Sequence, residues 1–174
     1  HSMVFTRFDY STGDAAGQNM VSRATFIACE WINEQRPEML HYMLSGNFDT
    51  EKKTSSVNLL KTRGKRVTAE ITVPREILMK HLRVAPEQIA YGQQISTLSA
   101  ILTNSSNNAN HPANALAALY LATGQDVANI GESNQCTTYQ RATSKGDFYF
   151  SITLPAVIMA TYGGGTALPT QREC

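Results

Sequence analysis

We predict a mixed α+β fold for this sequence of 174 residues, and three observations support that prediction. Helical and strand patterns intermix along the chain without strict alternation, which disfavours a doubly wound parallel sheet. Hydrophobic residues make up 42% of the chain and charged residues 17%, which is enough apolar material for a buried core. The segment from His111 to Thr123 is helix-forming and nearly all apolar, so we expect a central buried helix there.

The charge balance excludes a strongly basic protein. Lys and Arg number 15 against 14 for Asp and Glu, a net charge of +1, so the chain lacks the positive field that holds nucleic acid non-specifically. No stretch reaches the roughly 20 apolar residues that a membrane span requires, and we expect a soluble, cytoplasmic chain. The three cysteines lack short spacings and nearby His partners, so we expect neither a disulfide framework nor a metal site.

The first quarter of the chain predicts two strands flanking a helix. Val4–Tyr10 alternates loosely enough for a strand, and Met39–Leu44 is typical of a buried one. Between them, Asp14 is a plausible N-cap of a helix that ends before Pro37. The apolar face expected to be buried on this helix comprises Met20, Ala24, Ile27 and Trp31.

The middle of the chain predicts a strand followed by two helices. Alternation over Val67–Val73 indicates a half-buried strand that Pro74 stops. A short helix is expected over Arg75–His81, and a longer one begins with Pro86 at its first position and extends to Asn104. The apolar residues that share one face of the longer helix are Ile89, Ile95, Leu98 and Leu102.

The last third predicts the central helix and a hairpin. An Asn/Ser-rich break covers 104–110, and the apolar helix after it ends at Gly124. Strands are expected over Cys136–Ala142 and Phe148–Leu154, joined by a turn at Ser144–Asp147.

Four segments carry residues suited to chemistry. Small residues at 13–20 stand where a helix begins; they are typical of a structural capping turn, but free amides there also attract anions. The loop 45–53 ends in Glu-Lys-Lys, which is either a solvated charge cluster or the source of a lysine that stabilises an oxyanion. Residues 124–126 place an Asp after the apolar helix, where it is either a simple turn former or a site residue. Residues 160–166 contain three consecutive glycines whose backbone either approaches a ligand closely or forms a flexible link.

Taken in order, these segments resemble motifs of the hydroxymethylglutaryl-coenzyme A (HMG-CoA) reductase family. Residues 13–20, Gly-Asp-Ala-Ala-Gly-Gln-Asn-Met, are similar to the family's Gly-Asp-Ala-Met-Gly-Met-Asn-Met cofactor motif. Residues 45–53 are similar to its Ser-Gly-Asn-Tyr-Cys-Thr-Asp-Lys-Lys, residues 124–126 to its Gly-Gln-Asp, and residues 163–166 to its Gly-Gly-Gly-Thr. With Arg-Gly-Lys at 63–65, the resemblance covers essentially the whole chain.

The resemblance implies an architecture and an activity. Residues 1–44 would form part of a small ferredoxin-like NAD(P)-binding lobe, and residues 45–174 part of a large mixed α/β lobe that binds substrate and carries catalysis. The activity implied is reduction of an acyl-CoA thioester to an alcohol, mevalonate, with NADPH as cofactor and NADH not excluded. The partners implied are the acyl-CoA and a second copy of the chain that shares the active site, with no nucleic acid and no membrane segment in this chain.

The resemblance also implies roles for individual residues. Lys52 would be the catalytic lysine, whose cation stabilises the oxyanion formed at the thioester carbonyl, and Asp126 would keep it charged and oriented. The cofactor-binding residues implied are Asp14, Ala16, Gly17, Gln18, Asn19, Met20, Tyr162, Gly163 and Gly164. The substrate-binding residues implied are Ser45, Asn47, Glu51, Lys53, His111 and Asn114.

Departures from the family pattern temper this interpretation. Glu51 stands where the family has an Asp, and Gln94 lies in the stretch where the family has a substrate-binding lysine. The family's catalytic glutamate and the histidine that protonates the departing thiolate have no counterpart in these residues. We therefore expect weak or no turnover by this chain alone, since general acid–base catalysis is typically worth about 10²–10⁴-fold.

Two other classes of function stay open at this point. One is a shortened, non-catalytic relative that serves as a binding or assembly module, which the changes at Glu51 and Gln94 favour. The other is nucleic-acid binding, which interleaved aromatic residues would have favoured and which their absence disfavours. The basic residues that would carry it are Lys52, Lys53, Lys61, Arg63, Lys65 and Arg66.

Overall fold

The computed structural model describes residues 3–61, 63–108 and 110–174, and it confirms the predicted α+β class. The helices are α1 (Gln18–Gln35), α2 (Ser56–Leu60), α3 (Arg75–Leu82), α4 (Pro86–Thr103), α5 (Ala113–Ala122), a 3₁₀ turn (Val127–Asn129), α6 (Ile130–Ser133) and α7 (Pro169–Glu173). The strands are β1 (Lys65–Val73), β2 (Thr137–Ala142) and β3 (Phe148–Val157). None of the helices in the described ranges is long and apolar enough to cross a membrane.

The strands form one antiparallel sheet in the order β1-β3-β2. Its register pairs Glu70 of β1 with Ser151 of β3, and Ser151 with Tyr139 of β2. The predicted β2–β3 hairpin is confirmed, and Gly146 provides the left-handed conformation of its turn with φ 85°. The expected half-burial of β1 is wrong, since Ile71 is 57% exposed. β1 is an edge strand, and all of its residues except Val73 are exposed.

The core lies between α5 and the end of β3. Its buried apolar residues are Leu116, Tyr120, Cys136, Leu154 and Val157. The Tyr120 hydroxyl donates to Ser133 Oγ at 3.0 Å, and the same oxygen accepts from the backbone N–H of Ile158 at 3.1 Å. α5 is therefore central, as predicted, but only one of its faces is buried, because Leu121 on the opposite side is 65% exposed.

α4 contacts β2 through polar side chains. Gln93 of α4 donates to the Thr138 carbonyl at 3.4 Å. Asn108, in the loop after the helix, donates to the same carbonyl at 2.7 Å and accepts from the Thr138 N–H at 2.7 Å. The apolar face predicted for this helix is not what packs here, since Leu98 is 59% and Leu102 is 78% exposed. Ile95 is 51% exposed as well. The predicted break at 104–110 is confirmed in its described part, and Ala109 lies outside the described residues.

The prediction for the first 44 residues needs three corrections. Neither 4–10 nor 39–44 forms a strand, because a short apolar run becomes a strand only where a partner edge is available. α1 begins at Gln18 with Gly17 as its N-cap, φ 80°, rather than with Asp14. No residue of α1 is buried, and Trp31 on its expected core face is 63% exposed.

α2 and the 3₁₀ turn were not predicted, because the sequence signal of each is a single cap rather than a periodicity. Ser55 caps α2 by accepting from the Val57 N–H at 3.1 Å. Asp126 caps the 3₁₀ turn by accepting from the Ala128 N–H at 3.0 Å. Each cap satisfies one of the backbone donors left free at a helix start.

Candidate active site

Lys52 and Asp126 form an ion pair between the loop 45–53, which we call the polar loop, and the segment after α5. The Lys52 Nζ lies 2.8 Å from Asp126 Oδ2, and the two side chains are 37% and 39% exposed. The hydrogen bond from Lys52 lowers the pKa of the Asp126 carboxyl, and the same bond raises the pKa of the Lys52 ammonium. Lys52 is consequently a cation at neutral pH, and one of its sides faces solvent.

The end of α5 determines the position of Asp126. The chain leaves the helix through Gly124, which has φ 68°, and Gln125 N–H returns to the Tyr120 carbonyl at 2.8 Å. Asp126 then starts the 3₁₀ turn, so its two carboxylate oxygens have separate partners: Oδ1 accepts from Ala128 and Oδ2 from Lys52. One carboxylate therefore both caps the turn and pairs with the lysine.

The turn 50–53, which we call the Lys52 turn, is closed by a hydrogen bond from the Lys53 N–H to the Thr50 carbonyl and is attached to α6. Lys52 has φ 60°, a left-handed conformation that is uncommon for a residue with a side chain. Its N–H donates to Glu132 Oε1 at 2.9 Å, and the Thr54 hydroxyl donates to the Gly131 carbonyl at 2.8 Å. A Cβ on Gly131 would lie 2.3 Å from the Lys52 carbonyl oxygen, so the glycine permits this close approach.

Glu132 is a buried carboxylate that the sequence did not reveal. Its side chain is 0% exposed, and Arg63 donates to both of its oxygens, from Nε to Oε2 at 2.8 Å and from Nη2 to Oε1. That pairing raises the pKa of the Arg63 guanidinium. The sequence places Arg63 in the Arg-Gly-Lys motif and in the basic cluster considered for nucleic acid, but no periodicity or motif points to Glu132. Because Lys52 and Arg63 each have a carboxylate partner, the basic cluster considered for nucleic acid has fewer free cations.

The two segments predicted to bind a cofactor lie against each other. The backbone N–H groups of Thr161 and Tyr162 donate to the Asp14 carbonyl at 2.9 and 3.3 Å. Residues 13–20 and 160–166 are thereby joined by main-chain hydrogen bonds, although they stand at opposite ends of the sequence. The two segments that the resemblance implies for the cofactor, the first of which includes Ala16 and Asn19, are therefore in contact at Asp14.

The glycine-rich segment also packs on the residues that precede Asp126. Gln125 donates from Nε2 to the Ala160 carbonyl at 2.9 Å and accepts from the Ala160 N–H at 2.8 Å. A Cβ on Gly124 would lie 2.3 Å from the Gly165 carbonyl oxygen. This backbone-to-backbone contact requires both glycines, so part of the Gly-Gly-Gly run serves packing.

The start of α1 is linked to the same region and suits an anionic group. Gln18 Nε2 donates to the oxygen of the buried Asn129 side chain at 3.0 Å, which connects α1 to the 3₁₀ turn. The N-cap Gly17 offers no side-chain cap to the first amides of this 18-residue helix. A Cβ on Gly13 or Gly163 would meet no atom within 4 Å, so the backbone there is open to a ligand. These features fit a nicotinamide dinucleotide.

The predicted substrate-binding residues divide into two groups. Those of the polar loop adjoin Lys52: Ser45 Oγ donates to Asp49 at 3.1 Å, and Lys53 Nζ donates to the Glu51 carbonyl at 3.1 Å. Asn47 lies in the same loop with φ 64°. His111 and Asn114 are exposed near the start of α5, and within the described ranges no hydrogen bond or ion pair joins them to the loop. In the same ranges no group of three His, Cys, Asp or Glu side chains is placed to hold a metal ion.

Fold and site together define an α+β chain in which a lysine–carboxylate pair lies near glycine-rich backbone segments. The chain matches the family model described as "Hydroxymethylglutaryl-coenzyme A reductase" over residues 1–174. It belongs to this family.

Its relatives carry the same name. The chain is 43% identical over 171 residues to a 3-hydroxy-3-methylglutaryl-coenzyme A reductase of Pyrococcus abyssi, and the matched region covers 98% of this chain and 42% of that protein. It is 44% identical over 175 residues to the protein of that name from Methanothermobacter thermautotrophicus, covering 99% and 43%. A Dictyostelium discoideum relative, reductase 2, is 41% identical over 175 residues, covering 99% and 33%. The chain therefore spans well under half the length of these relatives.

Proposed function

We propose that this chain supplies a lysine–aspartate pair and nicotinamide-binding segments to the reduction of an acyl-CoA thioester, 3-hydroxy-3-methylglutaryl-CoA. The observation that carries the proposal is the 2.8 Å contact of Lys52 with Asp126 in a chain of the HMG-CoA reductase family. The relatives' names point to the same substrate.

Lys52 stabilises the negative charge that develops on the thioester oxygen. A cation placed where charge develops lowers the energy of the transition state more than that of the neutral ground state. Asp126 keeps the Lys52 ammonium protonated and limits its motion, since it accepts one of the three ammonium hydrogens. The nicotinamide supplies a hydride when it is bound.

The cofactor lies along the first turn of α1 and the glycine-rich segment. The backbone at Gly13 and Gly163 is open to the cofactor, and the free amides at the start of α1 face its phosphates. Asp14, Gln18 and Tyr162 belong to the same surface. NADPH is the cofactor we propose, and we expect NADH to bind more weakly in the same calorimetric titration.

The acyl substrate lies over the polar loop. Lys53 offers an ammonium to the free carboxylate of the hydroxymethylglutaryl group, as charge-assisted hydrogen bonds favour. The further residues that we propose to line this pocket are Ser45, Asn47, Glu51, His111 and Asn114.

We further propose a division near residue 44 into cofactor and substrate lobes, and a homo-oligomer that shares the site. Large apolar residues on the outer faces of α1 and α4 support self-association, since Trp31 is 63% and Ile101 is 72% exposed. Sedimentation equilibrium tests this: we expect a mass above 19.1 kDa, and a monomer over the accessible concentration range contradicts it.

Titration calorimetry tests the proposed function. We expect saturable binding of NADPH and of 3-hydroxy-3-methylglutaryl-CoA, with free CoA bound more weakly than the acyl form. Gly163→Ala should weaken NADPH binding by placing a methyl group on the proposed cofactor surface. Gly146→Ala is the matched control, because Gly146 also has a positive φ of 85° and near-open space but lies in the β2–β3 turn. Absence of binding of both ligands contradicts the proposal.

A further inference from the structure

The buried carboxylate of Glu132 holds the turn that carries Lys52. Its Oε1 accepts the Lys52 main-chain N–H at 2.9 Å, whereas the Lys52 ammonium contacts Asp126. The two carboxylates thus act on different parts of one residue: Glu132 on its backbone and Asp126 on the end of its side chain.

The environment of Glu132 suits it to this task. It is 0% exposed, while Lys52 and Asp126 are each more than a third exposed. Arg63 occupies both carboxylate oxygens from the other side, which compensates the buried charge and fixes its orientation. A rigid, buried acceptor therefore lies beneath a partly exposed cation.

The Lys52 turn needs such an attachment. Thr50 and Lys52 both have left-handed backbone conformations, with φ 58° and 60°, which residues with side chains adopt only when their surroundings impose them. On the α6 side, the restraints are the Glu132 hydrogen bond, the Thr54 bond to Gly131 and the close contact of Gly131 with the Lys52 carbonyl. The buried Asn58 side chain holds the turn from α2, by accepting from the Thr50 hydroxyl at 2.7 Å and donating to the Lys53 carbonyl at 2.9 Å.

We propose that Glu132, held by Arg63, is a positioning residue that sets the conformation of the Lys52 turn and so directs the ammonium to Asp126. The positioning role is argued from the structure alone. Its purpose in catalysis rests on the proposed function. A purely structural Arg63–Glu132 pair would stabilise the fold without affecting the contact between Lys52 and Asp126.

The test measures the pKa of the Asp126 carboxyl by ¹³C NMR in the unliganded chain. Glu132→Gln keeps the side-chain volume but weakens the hold on Arg63 and on the Lys52 N–H, so the Asp126 pKa should rise toward its ordinary value. Glu87→Gln is the matched control: it removes another Arg–Glu pair, Arg75–Glu87 at 2.7 Å, and should leave the Asp126 pKa unchanged. An unchanged Asp126 pKa in folded Glu132→Gln overturns the proposal.

A second variant decides the matter if Glu132→Gln does not fold. Glu132→Asp keeps the buried charge for Arg63 but withdraws the acceptor from the Lys52 N–H by one methylene. A raised Asp126 pKa in this variant supports positioning, and an unchanged one overturns it.

Ligand binding separates this inference from the proposed function. Acyl-CoA affinity should fall roughly tenfold in Glu132→Gln, because the loss of a hydrogen bond to a charged group typically changes an equilibrium constant by about that factor or more. If the unsubstituted chain binds no acyl-CoA while the Asp126 shift is present, the proposed function fails and the positioning role stands.

Discussion

The ammonium of Lys52 lies 2.8 Å from the carboxylate of Asp126, although one residue belongs to a polar loop and the other follows the central helix α5. Each is held separately. The backbone of Lys52 is attached to Glu132, and Asp126 caps a 3₁₀ turn through its other oxygen. The pair is therefore assembled by two local structures rather than by chance contact of flexible side chains, and this leads to measurable expectations.

The first prediction concerns pH. The pKa of Asp126 is lowered by Lys52, so its share of stability is present above the unfolded pKa and is lost as pH falls through the folded one. The pKa of Lys52 is raised, so its share is lost as pH rises through that folded pKa. Since both side chains are more than a third exposed, the difference between the unsubstituted chain and Asp126→Asn should be at most about 1 kcal/mol.

Urea unfolding of both proteins across the pH range measures this difference. It should be present near neutral pH and vanish at both extremes. Asparagine keeps the cap on Ala128 N–H, so the comparison isolates the charge. A difference that is independent of pH contradicts the prediction. Glu38→Gln removes a surface ion pair with Arg36 at 3.7 Å and should leave the free energy of unfolding almost unchanged at every pH.

The second prediction concerns Gly124. Alanine there combines a strained φ of 68° with a Cβ only 2.3 Å from the Gly165 carbonyl oxygen, so Gly124→Ala should destabilise the fold by about 2 kcal/mol or more. Gly92→Ala is the control: Gly92 lies inside α4 with no atom within 4 Å of the added Cβ, and alanine should stabilise it by about 0.5–1 kcal/mol. Equal effects in urea unfolding would show that the Gly124–Gly165 contact is not required.

The third prediction concerns the link between α1 and the 3₁₀ turn. Gln18→Leu removes the donor to the buried Asn129 oxygen, and an unsatisfied buried acceptor costs about 1–3 kcal/mol. Gln35→Leu, at the exposed end of the same helix, should change the free energy of unfolding little. Loss of stability of the same size in both variants would indicate a helix effect rather than the loss of this hydrogen bond.

The elements predicted well are those that local pattern determines. β1, α3, α4 and the β2–β3 hairpin carry clear periodicity or a cap signal, and the structure has them close to the predicted bounds. The strands expected at 4–10 and 39–44 were wrong because short apolar runs do not distinguish a strand from an extended segment without a partner. The predictions of burial were wrong more often than those of helices and strands. An apolar face such as that of α1 predicts that the face is covered, but it does not tell which surface covers it.

The site shows the same division. Lys52 and Asp126 were predicted from motifs, and the structure brings them together. Glu132 was not predicted, because its role depends on two partners, Lys52 and Arg63, that only the tertiary fold brings to it. A buried carboxylate has no sequence signature apart from its partners.

The most direct test of the central claim is calorimetric titration of 3-hydroxy-3-methylglutaryl-CoA into Lys52→Met. We expect its affinity to fall at least about tenfold while NADPH affinity is unchanged, because the ammonium is proposed to meet the acyl group. Lys61→Met, at an exposed lysine that ends α2, is the matched control and should bind both ligands normally. Unchanged acyl-CoA affinity in Lys52→Met would contradict the account.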